Sequence, residues 1–132
     1  MTETIPASHR DLVSDEKWTY AVLSTVMDDG SPQASPIWFD MKGDYIRFNT
    51  ARGRVKDRNI QARPEVALTM MDPEDPYRYL LVRGRVVEES EEGAEEHIAH
   101  LAGKYRGKAE YDVPEGQVRV IYLVEPHAVH AS

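Results

Sequence analysis

Polar and apolar residues alternate in six short runs rich in β-branched and aromatic types: WTYAVLSTV, QASPIWF, YIRFNT, EVALTMM, YLLVRGRVVE and VRVIYLV. This period of two predicts strands over residues 18–26, 33–39, 45–50, 65–71, 79–88 and 118–124. Asp28-Asp29-Gly30-Ser31 supplies a tight turn between the first two strands, and Lys42-Gly43-Asp44 leads into the third, so the first three are expected as an antiparallel meander. Pro36 cannot donate a ladder hydrogen bond and places its strand at an edge. Gly84 marks a bulge or bend, residues 71–77 read as a loop, and Glu125-Pro126 is expected to end the last strand.

Helical spacing is found in three places. Ser8 can cap a short helix over residues 8–17, with Leu12 and Val13 as its apolar face. A second, polar helix is expected over residues 53–62, ending where Arg63 precedes Pro64. Its only large apolar residues are Val55 and Ile60, so most of its surface should face solvent or a ligand. A third begins at Ser90 with acidic residues in its first turns, and Ala94, Ile98, Leu101, Ala102 and Tyr105 share the face that packs on the sheet. Six strands with one packing helix and short polar helices argue for a mainly β fold, a small antiparallel β-barrel. At 132 residues the chain reads as one domain, residues 1–132, with an N-terminal segment (1–17), a barrel core (18–124) and a tail (125–132).

Composition narrows the chemistry. The net charge is −7 with no cysteine, which excludes a generic polyanion binder, disulfide scaffolds and thiol chemistry. Neither a signal-peptide core nor a membrane-length apolar run occurs, so a cytoplasmic protein without membrane contact is expected. Against this acidic background NTARGRVKDRN sets Arg52, Arg54, Lys56 and Arg58 at every second position; with Arg63, five basic side chains face one acid, Asp57, over residues 52–63. A strand running into a helix start at Thr50-Ala51-Arg52-Gly53 presents free backbone N–H groups, and with nearby guanidinium and ammonium groups these bind phosphate or carboxylate. The alternative is a solvated basic helix.

Other patterns carry less. His97 and His100, like His127 and His130, stand three apart, but a metal site would need carboxylate or cysteine partners and a second shell as well; they read as solvated or packing histidines, and no metal is expected. No aromatic residue lies between Phe48 and Tyr77 to interleave with the basic positions, which argues against nucleic acid. Met70 and Met71 read as core or interface, Tyr105 and Tyr111 as borders of an opening, and Lys104, Arg106 and Lys108 as surface. No nucleophile elbow, dinucleotide fingerprint or Walker loop is present, so no catalytic triad is expected.

The succession GSPQASPIWF, YIRFNTARGRVKDRNI and RPEVALTMMDPEDPYRYLLVRGRV resembles the split β-barrel flavin and deazaflavin oxidoreductases related to pyridoxamine 5′-phosphate oxidase, over about residues 18–124. The strand ending in Asn-Thr, followed by Arg-x-Lys-x-x-Asn, is similar to the branch that uses coenzyme F420, a deazaflavin with a phosphate and an acidic tail. This resemblance implies a six-stranded split barrel, a homodimer with cofactors in grooves between subunits, and hydride transfer from reduced deazaflavin to a small organic molecule. It implies that Arg54, Lys56 and Asn59 hold the phosphate and the start of the tail, with Asn49, Thr50 and Val55 beside them. Gln33, Ser35, Pro36, Ile37 and Trp38 then lie along the ring, and Tyr77 approaches it from the other subunit. Arg52 and Arg58 are candidate tail contacts. Flavin mononucleotide (FMN) would fit the same groove, and a protein that carries flavin, deazaflavin or heme without turnover is the rival reading; the several cations beyond one phosphate's need favour F420.

Overall fold

The computed structural model describes residues 2–132. Seven strands form one antiparallel sheet: β1 (Ala21–Val26), β2 (Pro32–Ile37), β3 (Phe39–Lys42), β4 (Tyr45–Ala51), β5 (Glu65–Asp72), β6 (Asp75–Ser90) and β7 (Arg119–Ala131), in the spatial order β2-β1-β5-β6-β7-β4-β3. The two edge strands β2 and β3 are separated in sequence by Trp38 alone. A sheet whose opposite edges are joined by one residue must curl until they meet. This is the split barrel, and its seam lies at Trp38.

The seam replaces the expected single strand 33–39 and the expected meander. Ile37 pairs with Ala21 on β1, whereas Phe39 pairs with Phe48 on β4, so the chain changes partner at Trp38 without losing its period of two. Pro36 does lie on an edge strand, as its missing donor requires. The turn after β1 is also as expected: Gly30 adopts φ 87°, and the Asp29 carboxylate accepts from the Ser31 N–H at 2.9 Å.

The two long strands depart furthest from expectation. β5 and β6 are joined by a tight turn rather than a loop over 71–77. β7 continues through Pro126 to Ala131, because Pro126 sits opposite Gly84 at a register shift. A side chain at 84 would place its Cβ 2.4 Å from the Glu125 carbonyl oxygen, so the close approach of β6 and β7 depends on glycine.

Leu23, Phe39, Ile46, Phe48, Leu68, Met70, Leu80, Val82, Val120 and Val124 fill the barrel and are fully buried. Met70 is thus core, whereas Met71 is 43% exposed. The N-terminal helix is a 3₁₀ helix, Ala7–Val13, that follows Pro6 without a side-chain cap and buries Leu12 and Val13 against the barrel. Helix α1 (Val55–Ala62) is short and polar. Helix α2 (Ala94–Arg106) starts after Gly93, since Ser90 ends β6 instead of capping a helix; it buries Ala94, Ile98, Leu101 and Ala102 as its spacing predicts. No helix among the described residues is long and apolar enough to cross a membrane.

Candidate functional site

A cavity of about 250 Å³ opens at the seam. Its apolar wall comes from Pro36 and Ile37 at the end of β2, Trp38, Tyr20 just before β1, Ile98 of α2, and Tyr111 in the segment between α2 and β7. Trp38 stacks on Tyr105 with centroids 5.4 Å apart and planes within 7°, Tyr20 also stacks on Tyr105 at 5.2 Å, and Tyr111 meets Trp38 edge-on at 6.4 Å. Tyr105 is anchored by its hydroxyl, which donates to the Thr19 carbonyl at 2.7 Å, and burial pushes that hydroxyl's pKa well above the ordinary tyrosine value. The ring pair that joins α2 to the seam is therefore neutral and fixed.

The polar wall is cationic. Arg54 precedes α1, Lys56 lies in its first turn, Arg106 ends α2 and Arg119 begins β7; all four line the cavity, and no carboxylate does. Among the described residues none of the four makes an ion pair. Lys56 reaches Ser35 of β2 at 3.4 Å, and Arg106 lies 4.7 Å from the Trp38 ring centre. Burial, and after it the charges of Arg54 and Arg119, holds Lys56 below the ordinary lysine pKa. Burial likewise lowers Arg119, with Arg54 adding to the effect. Mutually repelling cations without a counter-charge, in a half-enclosed space, favour an anion.

Behind this wall runs a buried polar chain. Arg119 Nε donates to Asn49 Oδ1 at 2.9 Å; Asn49 Nδ2 donates to the Ala94 carbonyl at 2.9 Å and to His97 Nδ1 at 3.1 Å; His97 Nε2 meets Asp40 Oδ1 at 3.0 Å. Arg47 closes the chain, gripping both Asp40 oxygens at 2.9 and 2.6 Å. Burial alone would raise the Asp40 pKa, but the hydrogen bonds from Arg47 and His97 outweigh it and hold the carboxyl at about 2. Asp15, Asp40 and His100 also bring ligand atoms within 4.8 Å of one another. Arg47 already occupies Asp40 and Lys104 stands 3.6 Å from Asp15, so fixed positive charges neighbour the position a cation would take.

The family model described as pyridoxamine 5′-phosphate oxidase matches residues 5–132. The chain belongs to the pyridoxamine 5′-phosphate oxidase family. Within it, a solved structure described as an F420 reductase is 36% identical, with a TM-score of 0.84, 96% of this chain and 98% of that one being covered. A pyridoxamine 5′-phosphate oxidase-like protein from Listeria innocua is 17% identical (TM-score 0.64; 85% and 86% covered). A 5-nitroimidazole antibiotic resistance-like protein from Bacteroides thetaiotaomicron is 15% identical (TM-score 0.66; 98% and 85% covered). These last two share the fold. None of the curated proteins compared matches the chain.

On this family scaffold the residues singled out by sequence divide into two groups. Pro36, Ile37, Trp38, Asn49, Arg54 and Lys56 converge on the cavity, with Ser35 behind Lys56. The others lie elsewhere in the protomer. Asn59 is on the opposite side of α1, where its amide donates to Thr25 Oγ1 at 3.0 Å and Met27 Sδ at 3.2 Å and ties the helix to β1. Gln33 accepts from that same Thr25, Val55 lines a separate recess with Arg58, and Thr50 faces the barrel interior, fully buried, its Oγ1 without a partner. Tyr77 is 86% exposed on β6.

Two basic residues are engaged by the protein itself. Arg52 is held by Asp57, Glu89 and Glu91 at 2.9–3.2 Å, and Arg58 donates to the Gly53 carbonyl. The Gly53 N–H expected to await a ligand is taken by Asp57 Oδ2 at 2.9 Å, so the anion-binding capacity of this turn resides in side chains. Arg119 and Arg106 are the members that sequence reasoning missed. The one signal for Arg119 is a lone cation inside the apolar run VRVIYLV; Arg106 has the appearance of ordinary helix-terminal charge.

Proposed function

We propose that this cavity binds coenzyme F420 and that the protein is an F420-dependent reductase acting on a small organic acceptor. The observation that carries the reading is the juxtaposition of aromatic surface with four cations and no carboxylate at the seam, in a chain of net charge −7. The 36% identity to a protein described as an F420 reductase supports it. Held by Arg54, Lys56 and Arg119 against Trp38, a reduced deazaflavin would supply hydride chemistry toward the acceptor, with solvent as the source of the accompanying proton.

The chain's own residues bind and orient. Arg54, Lys56 and Arg119 offer charge-assisted hydrogen bonds to phosphate and tail, while Pro36, Ile37 and Trp38 provide a flat surface for a ring. Drug-sized ligands occupy about 300–1,000 Å³. One protomer's 250 Å³ falls short of that, which favours a homodimer whose second subunit closes the groove, with the exposed Tyr77 offered to the partner's site. Gln33 and Asn59 then act from behind, tying β2 and α1 to β1 through Thr25.

F420 should bind more tightly than FMN, because an acidic tail uses cations that one phosphate leaves idle. Lys56→Ala should weaken F420 by about 10- to 100-fold, the worth of one charge-assisted hydrogen bond. Fluorescence titration with both cofactors decides: equal affinities, unmoved by Lys56→Ala, would refute the F420 assignment. Oxidation of reduced F420 with a panel of quinones and enones tests turnover, and no acceleration over free solution would leave a carrier protein.

A further inference from the structure

We infer that Arg119 is an anion-binding residue of the seam cavity and that Asn49, His97 and Asp40 are positioning residues that hold its guanidinium there, the bound group being a phosphate or similar compact oxyanion. The inference rests on the cavity's being an anion site, as proposed above, and extends it to the buried residues that orient Arg119.

Arg119 is 5% exposed. Two of its N–H donors are used, Nε by Asn49 and one terminal nitrogen by Gln117 Oε1 at 3.1 Å; of the five that a guanidinium carries, the others have no protein acceptor among the described residues. The terminal nitrogen left free is accessible at the cavity wall, so it can take an acceptor from a bound group. The type of holder is informative as well. Arg47, Arg52, Arg63 and Arg78 are all gripped by carboxylates, which cancel their charge, whereas Arg119 is gripped by two neutral carboxamides. Its direction is thus fixed while its charge stays available.

Neutral holders need orienting, because an asparagine amide can present either end. Here every link has one sense. Arg119 only donates, so Asn49 must turn its oxygen toward it; the Ala94 carbonyl only accepts, so it selects the amide nitrogen. His97 Nδ1 faces that same nitrogen and must be bare, which leaves the ring proton on Nε2 for Asp40. Arg47 pins Asp40 through both oxygens. A protonated Nδ1, or loss of the ring, would take away one of the two acceptors that hold the Asn49 nitrogen and loosen the amide's hold on the guanidinium.

Pyrophosphate, which needs the cations and no ring surface, is the probe. Titrated by calorimetry, it should bind the wild type, and Arg119→Ala should weaken it about tenfold or more. His97→Leu should weaken it several-fold. Adding His97→Leu to Arg119→Ala should cost nothing further, because the histidine acts only through the arginine. His97→Asn, whose amide oxygen can replace Nδ1 as acceptor, should recover part of the loss. Independent of any variant, ¹⁵N spectra of the wild type should show His97 with a bare Nδ1 and a protonated Nε2.

No pyrophosphate binding, no effect of Arg119→Ala, multiplicative losses in the double variant, or the opposite tautomer would each overturn the inference. Failure of the cofactor reading looks different: pyrophosphate binding that needs Arg119, with neither F420 nor FMN retained.

Discussion

The start of helix α1 brings Lys56, and Arg54 just before it, into the cavity, and a single carboxylate sets that start. Asp57 Oδ2 accepts from the Gly53 N–H at 2.9 Å, while Oδ1 accepts from Arg52 at 3.1 Å and from the Tyr122 hydroxyl. In Asp57→Ala, Arg52 keeps Glu89 and Glu91, but the buried Tyr122 hydroxyl, which only accepts from Gln61 and Arg52, loses the one acceptor for its proton. The Gly53 N–H loses its partner outright. A hydrogen bond to a buried charged group contributes about 1.5–3 kcal/mol, and a carboxylate near a helix N-terminus adds about 0.3–1 kcal/mol. With the orphaned Tyr122 donor added, the expected loss is at least about 2–4 kcal/mol, a large fraction of the roughly 5–15 kcal/mol that holds a domain together.

Urea denaturation monitored by tryptophan fluorescence measures it, and Asp57→Asn, which keeps one acceptor oxygen, should recover about half. Burial alone would raise the Asp57 pKa, but the Tyr122, Gly53 and Arg52 contacts outweigh it, so the folded-state value is depressed. Its contribution is fully present above the unfolded-state value, near 3.8, and is lost as pH falls through the folded value, so the gap between wild type and Asp57→Ala should narrow in acid. A change below about 0.5 kcal/mol at neutral pH, the size of an ordinary surface substitution, would refute the view that Asp57 holds α1 in place.

Two more outcomes are expected. Gly84→Ala drives a methyl against the Glu125 carbonyl, 2.4 Å from an ideal Cβ, and overpacking of this kind costs about 1–3 kcal/mol, or roughly 4–12 °C in Tm; a shift within about 2 °C by calorimetry would mean that β6 and β7 are free to separate there. Lys56 is charged with difficulty because burial and its cationic neighbours disfavour the proton, a penalty that vanishes as pH rises through its lowered pKa. A bound anion restores that pKa, so F420 binding should take up protons and weaken with rising pH before the ordinary lysine value of 10.5 is reached; a flat affinity profile up to that pH would contradict it.

Much of the local structure was legible in the residue pattern. Alternation located every strand but β3, Gly30 announced its hairpin, and the apolar spacing of Ala94, Ile98 and Leu101 drew the buried face of α2. Arg54 and Lys56 stood out because their charge opposes that of the whole chain. Such signals are short-range: a side chain's face follows from its immediate neighbours and the period of its element.

What could not be read locally depended on closure. The break at Trp38 leaves alternation intact, so nothing between residues 33 and 39 reveals that the chain passes from one sheet edge to the other. Asn59 shares a helical spacing with Lys56, yet Thr25 and Met27, packed on the other side of α1, capture it. Arg119 reaches the cavity because β7 pairs with β4 and places it diagonally beside Asn49, 70 residues away in sequence. His97 becomes a buried link only when α2 is laid over β4, bringing Asn49 and Asp40 to its two nitrogens. The residue types belong to the chain's linear order, but the charge they present to one another exists only once the curled sheet has removed the water between them.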